Sequence, residues 1–155
     1  MTEPNAANGY QSSHALLLLE NYQRLTGHNL LPAGPSPEAM ARALYEAPFV
    51  LLSHDTAEDP VFTYANLAAQ KLFAMPWTEI VGLPSRFSAE PLVREERQRL
   101  LEQVARRGYI ADYRGVRIAK DGRRFLIAHA TVWNLADATG APTGQAATFE
   151  DWRAV

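Results

Sequence analysis

The stretch Val116-Arg117-Ile118-Ala119-Lys120-Asp121-Gly122-Arg123-Arg124-Phe125-Leu126-Ile127, continued to Trp152, decides the fold. The Asp121-Gly122 pair is a strong hairpin signal, because both tight-turn positions tolerate positive φ. On either side lie runs rich in β-branched and aromatic residues. They predict long strands over Tyr109–Ala119 and Arg123–Leu135. A polar Asp137–Pro142 loop and a third strand over Gly144–Trp152 complete a meander. The middle strand is apolar on both sides. Strict alternation puts Phe125, Ile127, His129, Thr131 and Trp133 on one face, and Leu126, Ala128, Ala130 and Val132 on the other. Both faces of the sheet therefore require a cover.

Upstream, Phe49–Ser53 and Val61–Ala65 predict two shorter strands, separated by the polar turn Asp55–Pro60. Asn66 caps a helix through Phe73, and Trp77–Val81 forms a further helical turn closed by Gly82. Pro91 opens a longer helix to Arg107, with Leu92, Val93, Leu100, Leu101 and Val104 as its apolar positions and Gly108 as C-cap. Residues 1–9 are expected to be poorly ordered. Residues 10–47 form a helical extension, one helix over about Tyr10–Leu25 and a second capped by Ser36 and opened by Pro37. Leu16, Leu19, Tyr22 and Leu25 give the first helix an apolar stripe, the natural cover for the open sheet face within one subunit or across a homodimer. Residues 48–155 form the main domain. The fold class is α+β: a five-stranded antiparallel sheet, short helices on one face and the N-terminal extension on the other.

Composition limits the chemistry. The chain has 155 residues, a formal net charge of −2 and no cysteine. The lack of cysteine excludes disulfides, thiolate metal sites, cysteine nucleophiles and cysteinyl photoadducts. No clustered positive field favours a nucleic acid; Arg94, Arg97, Arg99, Arg106 and Arg107 alternate with Glu95, Glu96 and Glu102. The apolar run Ala15–Leu19 is far short of the roughly 20 residues that span a bilayer. Met1–His14 has no basic leader, so a cytoplasmic protein without membrane contact is expected.

Ser53-His54-Asp55, Asp59-Pro60-Val61-Phe62, Tyr64, Asn66, Leu83-Pro84-Ser85-Arg86, Ser88-Ala89-Glu90-Pro91, Gly115-Val116-Arg117-Ile118, Gly122-Arg123-Arg124-Phe125, Val132-Trp133-Asn134-Leu135 and Gly144-Gln145-Ala146-Ala147 together resemble the MEKHLA family. That family occurs as small bacterial proteins and as the C-terminal domain of plant class III homeodomain–leucine zipper factors. It is related to Per-Arnt-Sim (PAS) sensory domains, whose order of elements matches the one read here. The resemblance implies a sensory or interaction module without catalysis and supplies no ligand.

Gly82-Leu83-Pro84-Ser85-Arg86-Phe87 is similar to the flavin motif of light-oxygen-voltage domains, with Ser85 where that motif has its reactive cysteine. Arg117 and Ile127 stand where those domains place amides on the sheet. Val81–Arg107 contains no histidine to serve as an axial haem ligand. On these grounds neither flavin nor haem is expected, and the cofactor expectation is none. Ser53-His54-Asp55 has the residue types of a triad, but consecutive strand residues point to opposite faces. No His, Asp or Glu spacing signals a metal. The candidate pocket for a small molecule is Asn66, Phe73, Met75, Trp77, Arg86, Phe87, Glu90, Phe125, Ile127, His129 and Trp133, an apolar set with a few polar groups. The alternative is a dimerisation domain with a filled core; an enzyme using Glu90, Glu95 or Glu96 is a third reading.

Overall fold

The computed structural model describes residues 1–92 and 94–155. Val93, read above as an apolar position of the long helix, lies outside them. Two N-terminal helices, α1 (Ser12–Thr26) and α2 (Pro37–Tyr45), precede strands β1 (Val50–His54) and β2 (Phe62–Ala65). Helices α3 (Leu67–Phe73) and α4 (Trp77–Ile80), a 3-10 turn over Ser85–Ser88 and helix α5 (Arg94–Arg107) follow. The meander is β3 (Tyr109–Ile118), β4 (Arg124–Ala136) and β5 (Pro142–Phe149). After a break at Glu150 the chain returns to the sheet as β6 (Asp151–Ala154), which pairs with the first half of β4 while β5 pairs with its second half. The order is β2-β1-β5-β4-β3, with every pair antiparallel. The expected five-stranded α+β architecture therefore stands, its last strand divided in two.

One turn and one close approach fix this register. Gly122 has φ 88°, and its amide donates to the Ala119 carbonyl at 2.9 Å. Arg123, beside it, is held by Asp121 and by the Leu72 carbonyl, which docks the hairpin on the end of α3. Gly144 marks a close approach. A Cβ there would stand 2.0 Å from the His54 carbonyl oxygen, so only glycine lets β5 lie against β1 at this point.

Each face of the sheet has its own core. On the inner face Val50, Leu52, Ile110, Ile127 and Phe149 pack against Phe73, Ile80 and Val104 from the short helices and α5. On the outer face Leu51, Tyr64, Trp133 and Leu135 pack against Ala15, Leu18 and Leu19 of α1 and Leu44 of α2. The extension thus covers the sheet of its own chain. Of the expected stripe, Leu19 is buried, Tyr22 and Leu25 are partly buried against this core, and Leu16 is half-exposed, one position off the contact face. The true stripe is Ala15, Leu18, Leu19 and Tyr22, the i, i+3, i+4, i+7 set of a straight helix.

Residues 1–9 differ from the expectation of disorder. Asn5 and Asn8 cap each other reciprocally, each side-chain oxygen accepting from the other's backbone amide. Tyr45 Oη donates to Glu3 at 2.8 Å, and Pro4 is buried. The polar residues that suggested disorder instead satisfy the backbone of a tight turn.

The strict alternation along β4 is also corrected. Tyr113 pairs with Ala130, but Gly115 pairs with Ile127, so β4 carries an extra residue. His129 has φ 55° there, the left-handed conformation that marks a bulge. Phe125 and Ile127 face inward; beyond the bulge Ala130 and Val132 face inward, and Trp133 turns to the outer core.

Asn66 joins three elements. It is fully buried; its Oδ1 accepts from Leu51 N and Ala69 N, and its Nδ2 donates to the Leu44 and Phe49 carbonyls. Asn66→Ala leaves buried backbone donors and acceptors without partners and removes the α3 cap. Urea unfolding is expected to show a loss of roughly 2–4 kcal/mol.

His14 gives a pH dependence. Its Nε2 lies 3.2 Å from Ser53 Oγ under α1, and burial lowers its pKa from 6.5 to about 4. The unfolded imidazole therefore binds a proton at higher pH than the folded one. The contribution to stability is complete above the unfolded pKa and is lost as pH falls toward 4, up to roughly 3 kcal/mol. Unfolding at pH 7 and pH 4.5 should show a smaller acid loss in His14→Gln than in the wild type.

Candidate functional site

A cavity of about 280 Å³ lies between the inner face of the sheet and the segment from Ser85 to Leu92. Leu52, Val132, Ala147 and Phe149 form its floor, and Leu92 and Leu100 close it from the helical side. Period-two spacing on β5 aims Gln145, Ala147 and Phe149 inward together. Gln145 Nε2 donates to Asn134 Oδ1 at 3.1 Å, and its carbonyl oxygen accepts no hydrogen bond among the described residues. Tyr113 and Arg117 of β3 supply the remaining polar wall.

The charges around the mouth mostly satisfy one another. Arg86 Nε donates to Asp59 at 3.1 Å, and Arg124 pairs with Glu90 at 2.5 Å. Both pairs are exposed, so solvent screening leaves them little weight in stability. Arg86 also stacks 4.2 Å over the Phe87 ring, which stays 55% exposed. Arg117 is half-buried and stands 5.7 Å from the centre of the Tyr113 ring, with no carboxylate partner among the described residues. Ser53 turns away under α1 and His54 Nδ1 meets the Asp55 carbonyl, so the consecutive Ser-His-Asp residues form no relay.

Among the residues singled out from sequence, Arg86 and Glu90 lie at this cavity. Phe73, Phe125 and Ile127 are in the inner core, the first two in an edge-to-face contact at 5.4 Å. Met75 is buried beside them, while Phe87 lies on the surface. Asn66 is the structural node described above. Trp77 and Trp133 belong to the outer core, and Trp133 donates Nε1–H to the Leu18 carbonyl of α1. His129 is exposed on the bulge, not in the core. The bulge explains the displacement of both His129 and Trp133. Leu52, Tyr113, Val132, Gln145 and Phe149 escaped the sequence reading, although the inward alternation of β5 was available to find two of them, Gln145 and Phe149.

The MEKHLA domain family model matches residues 12–154. The chain belongs to the MEKHLA domain family. No curated protein matches it. Solved structures similar to this MEKHLA domain include light-oxygen-voltage and PAS domains. A light-oxygen-voltage domain studied with a flavin analogue has a TM-score of 0.56 at 19% identity, covering 76% of this chain and 84% of that one. A PAS domain from Colwellia psychrerythraea has a TM-score of 0.61 at 14% identity, covering 76% and 95%. The light-state dimer of the fungal blue-light photoreceptor Vivid has a TM-score of 0.57 at 17% identity, covering 88% and 90%. The MEKHLA domain therefore has the fold of PAS and light-oxygen-voltage sensory domains. Among its described residues no helix is long and apolar enough to cross a membrane.

The likeness corrects the expectation of no cofactor. A domain studied with a flavin analogue shares this architecture, so the exclusion of flavin does not stand. The lining offers apolar Leu52, Val132 and Phe149 for a planar ring and the Gln145 side-chain amide for its polar edge, with Arg117 as a separate cation.

Trp133→Ala removes a buried indole and should cost about 3–5 kcal/mol. His129→Asn keeps a residue tolerant of the left-handed conformation and should stay within about 0.5 kcal/mol of the wild type. Paired denaturant melts of the two variants check both placements.

Proposed function

We propose that the chain is a non-enzymatic sensory module that binds a small molecule in the cavity beneath Ser85–Leu92 and passes its occupancy to a partner. The cavity carries this reading. A filled-core interaction domain would close such a space, because interiors pack to crystal-like density with few voids larger than a water. The walls have the composition of ligand sites, apolar surface with a few convergent polar groups. The Ser53 hydroxyl meets the His14 imidazole at 3.2 Å on the α1 side of β1, and no other nucleophile–base pair at the cavity is within hydrogen-bond reach among the described residues.

Flavin is one ligand class for this site. It would be held by Gln145, Arg117 and the apolar floor, without a covalent bond, because the chain has no cysteine and Ser85 stands at the motif's reactive position. When bound, such a group supplies visible absorption and redox chemistry. A homodimer belongs to the same reading: Leu126 and Ala128 on the outer face lie beside Asp112, Arg114, Asp151 and Arg153, a patch with charges of both signs that a second copy can match.

Native mass spectrometry of freshly purified protein tests the proposal. The expected result is a small-molecule adduct released on unfolding, together with a mass reporting the subunit count. Ala147→Met should fill the floor, reduce the adduct and raise the melting temperature of the ligand-free protein. A bare chain mass, with the same melting temperature in both proteins across a small-molecule panel, would overturn it.

A further inference from the structure

Resting on the reading of the cavity as a ligand site, the geometry points to the chemical class of the ligand: an apolar body carrying an oxyanion head group, with the head between Arg117 and the Tyr113 hydroxyl. Three observations converge. First, Asp59–Arg86 and Glu90–Arg124 neutralise one another at the rim, which leaves Arg117 as the lining cation without a carboxylate partner among the described residues. A half-buried guanidinium without a counter-charge raises the local affinity for an anion, because both donors and field act in a partly desolvated site.

Second, Tyr113 is 3% exposed, lines the cavity, and its hydroxyl makes no hydrogen bond among the described residues. Arg117 and Tyr113 lie on the same inward face of β3: Arg117 pairs with the inward Phe125, and Tyr113 with the inward Ala130. The Arg117 guanidinium stands 5.7 Å from the centre of the Tyr113 ring and makes no hydrogen bond to its hydroxyl among the described residues, so both groups can donate to an oxyanion. Third, the residue between them is Gly115. A Cβ there would stand 3.1 Å from the Tyr113 hydroxyl oxygen and 3.5 Å from Leu92, so glycine preserves the space beside the hydroxyl.

The rest of the cavity sets the body. The floor and roof are aliphatic or aromatic, and about 280 Å³ is roughly twice the engineered cavity that holds benzene. That volume suits a medium-chain or bicyclic acid. The oxyanion can be the carboxylate of such an acid or the phosphate of a flavin mononucleotide, and the two sources are separable.

The test uses two matched pairs that differ in the anion: octanoate against 1-octanol, and flavin mononucleotide against riboflavin. Calorimetry and thermal shift are run on the wild type, Arg117→Gln, Tyr113→Phe and Lys120→Gln. The expected result is an advantage of about tenfold or more for at least one anionic member, abolished in Arg117→Gln, reduced in Tyr113→Phe and kept in Lys120→Gln. The pair that shows it identifies the source. Equal binding within both pairs, or an advantage that survives Arg117→Gln, overturns the anion assignment while leaving the cavity as a neutral-ligand site. Binding of none of the four overturns both. Circular dichroism melts confirm that each variant is folded, and Arg117→Lys, which keeps the charge, should restore part of the preference.

Discussion

The extra residue at His129 is the constraint on which the rest depends. A strand has a side-chain period of two, so a single inserted residue exchanges the two faces beyond it. In β4 that exchange gives both faces of one strand what they need. Phe125 and Ile127 complete the inner core near the hairpin, Val132 supplies the cavity floor, and Trp133 and Leu135 reach the outer core under α1. Without the bulge, Trp133 would point at the cavity and fill it, while Val132 would face the N-terminal helix with too small a side chain to hold it. A left-handed backbone at a non-glycine residue costs of order 1 kcal/mol or more. Trp133 offsets that by burying its indole and donating to the Leu18 carbonyl.

The cavity persists because its neighbours are already satisfied elsewhere. Phe73 and Phe125 hold each other edge to face, Arg123 ties the hairpin to the end of α3, and Asn66 secures the start of α3 to β1. These contacts keep the helical side of the inner face at a fixed height above the sheet. Side chains as small as Ala147 and Val132 on the floor then leave a gap that neither layer can collapse into without breaking hydrogen bonds.

Much of this was legible in the residues. The Asp121-Gly122 turn, the Ser36 cap and the Asn66 cap are local signals, and local backbone chemistry reads directly from sequence. The two-sided apolar character of β4 correctly required a cover on each face, and the helical extension is that cover. The cavity was less legible. Arg86 and Glu90 lie at its rim, but its floor depends on which residues of β4 point inward, and a bulge leaves no trace in an alternating pattern. His129 looked like a core residue because its neighbours are apolar, yet it is the residue of that strand with a positive φ. The disorder expected for residues 1–9 failed for a related reason: asparagines that cap a turn have the same composition as asparagines in a free tail.

Strand β1 is a wall shared by two compartments. Leu52 and His54 border the cavity, while Leu51 and Ser53, one residue away in each case, touch the outer core and His14 of α1. The cavity and the N-terminal helix are thus separated by the thickness of a single strand, with Ser53 also joined to Thr63 of β2 at 2.8 Å. Whatever displaces β1 from one side alters the seating of the helix on the other. Under the proposed function, the reciprocity of linked equilibria makes a partner that grips or peels α1 change ligand affinity by the same factor that the ligand changes the affinity of the partner.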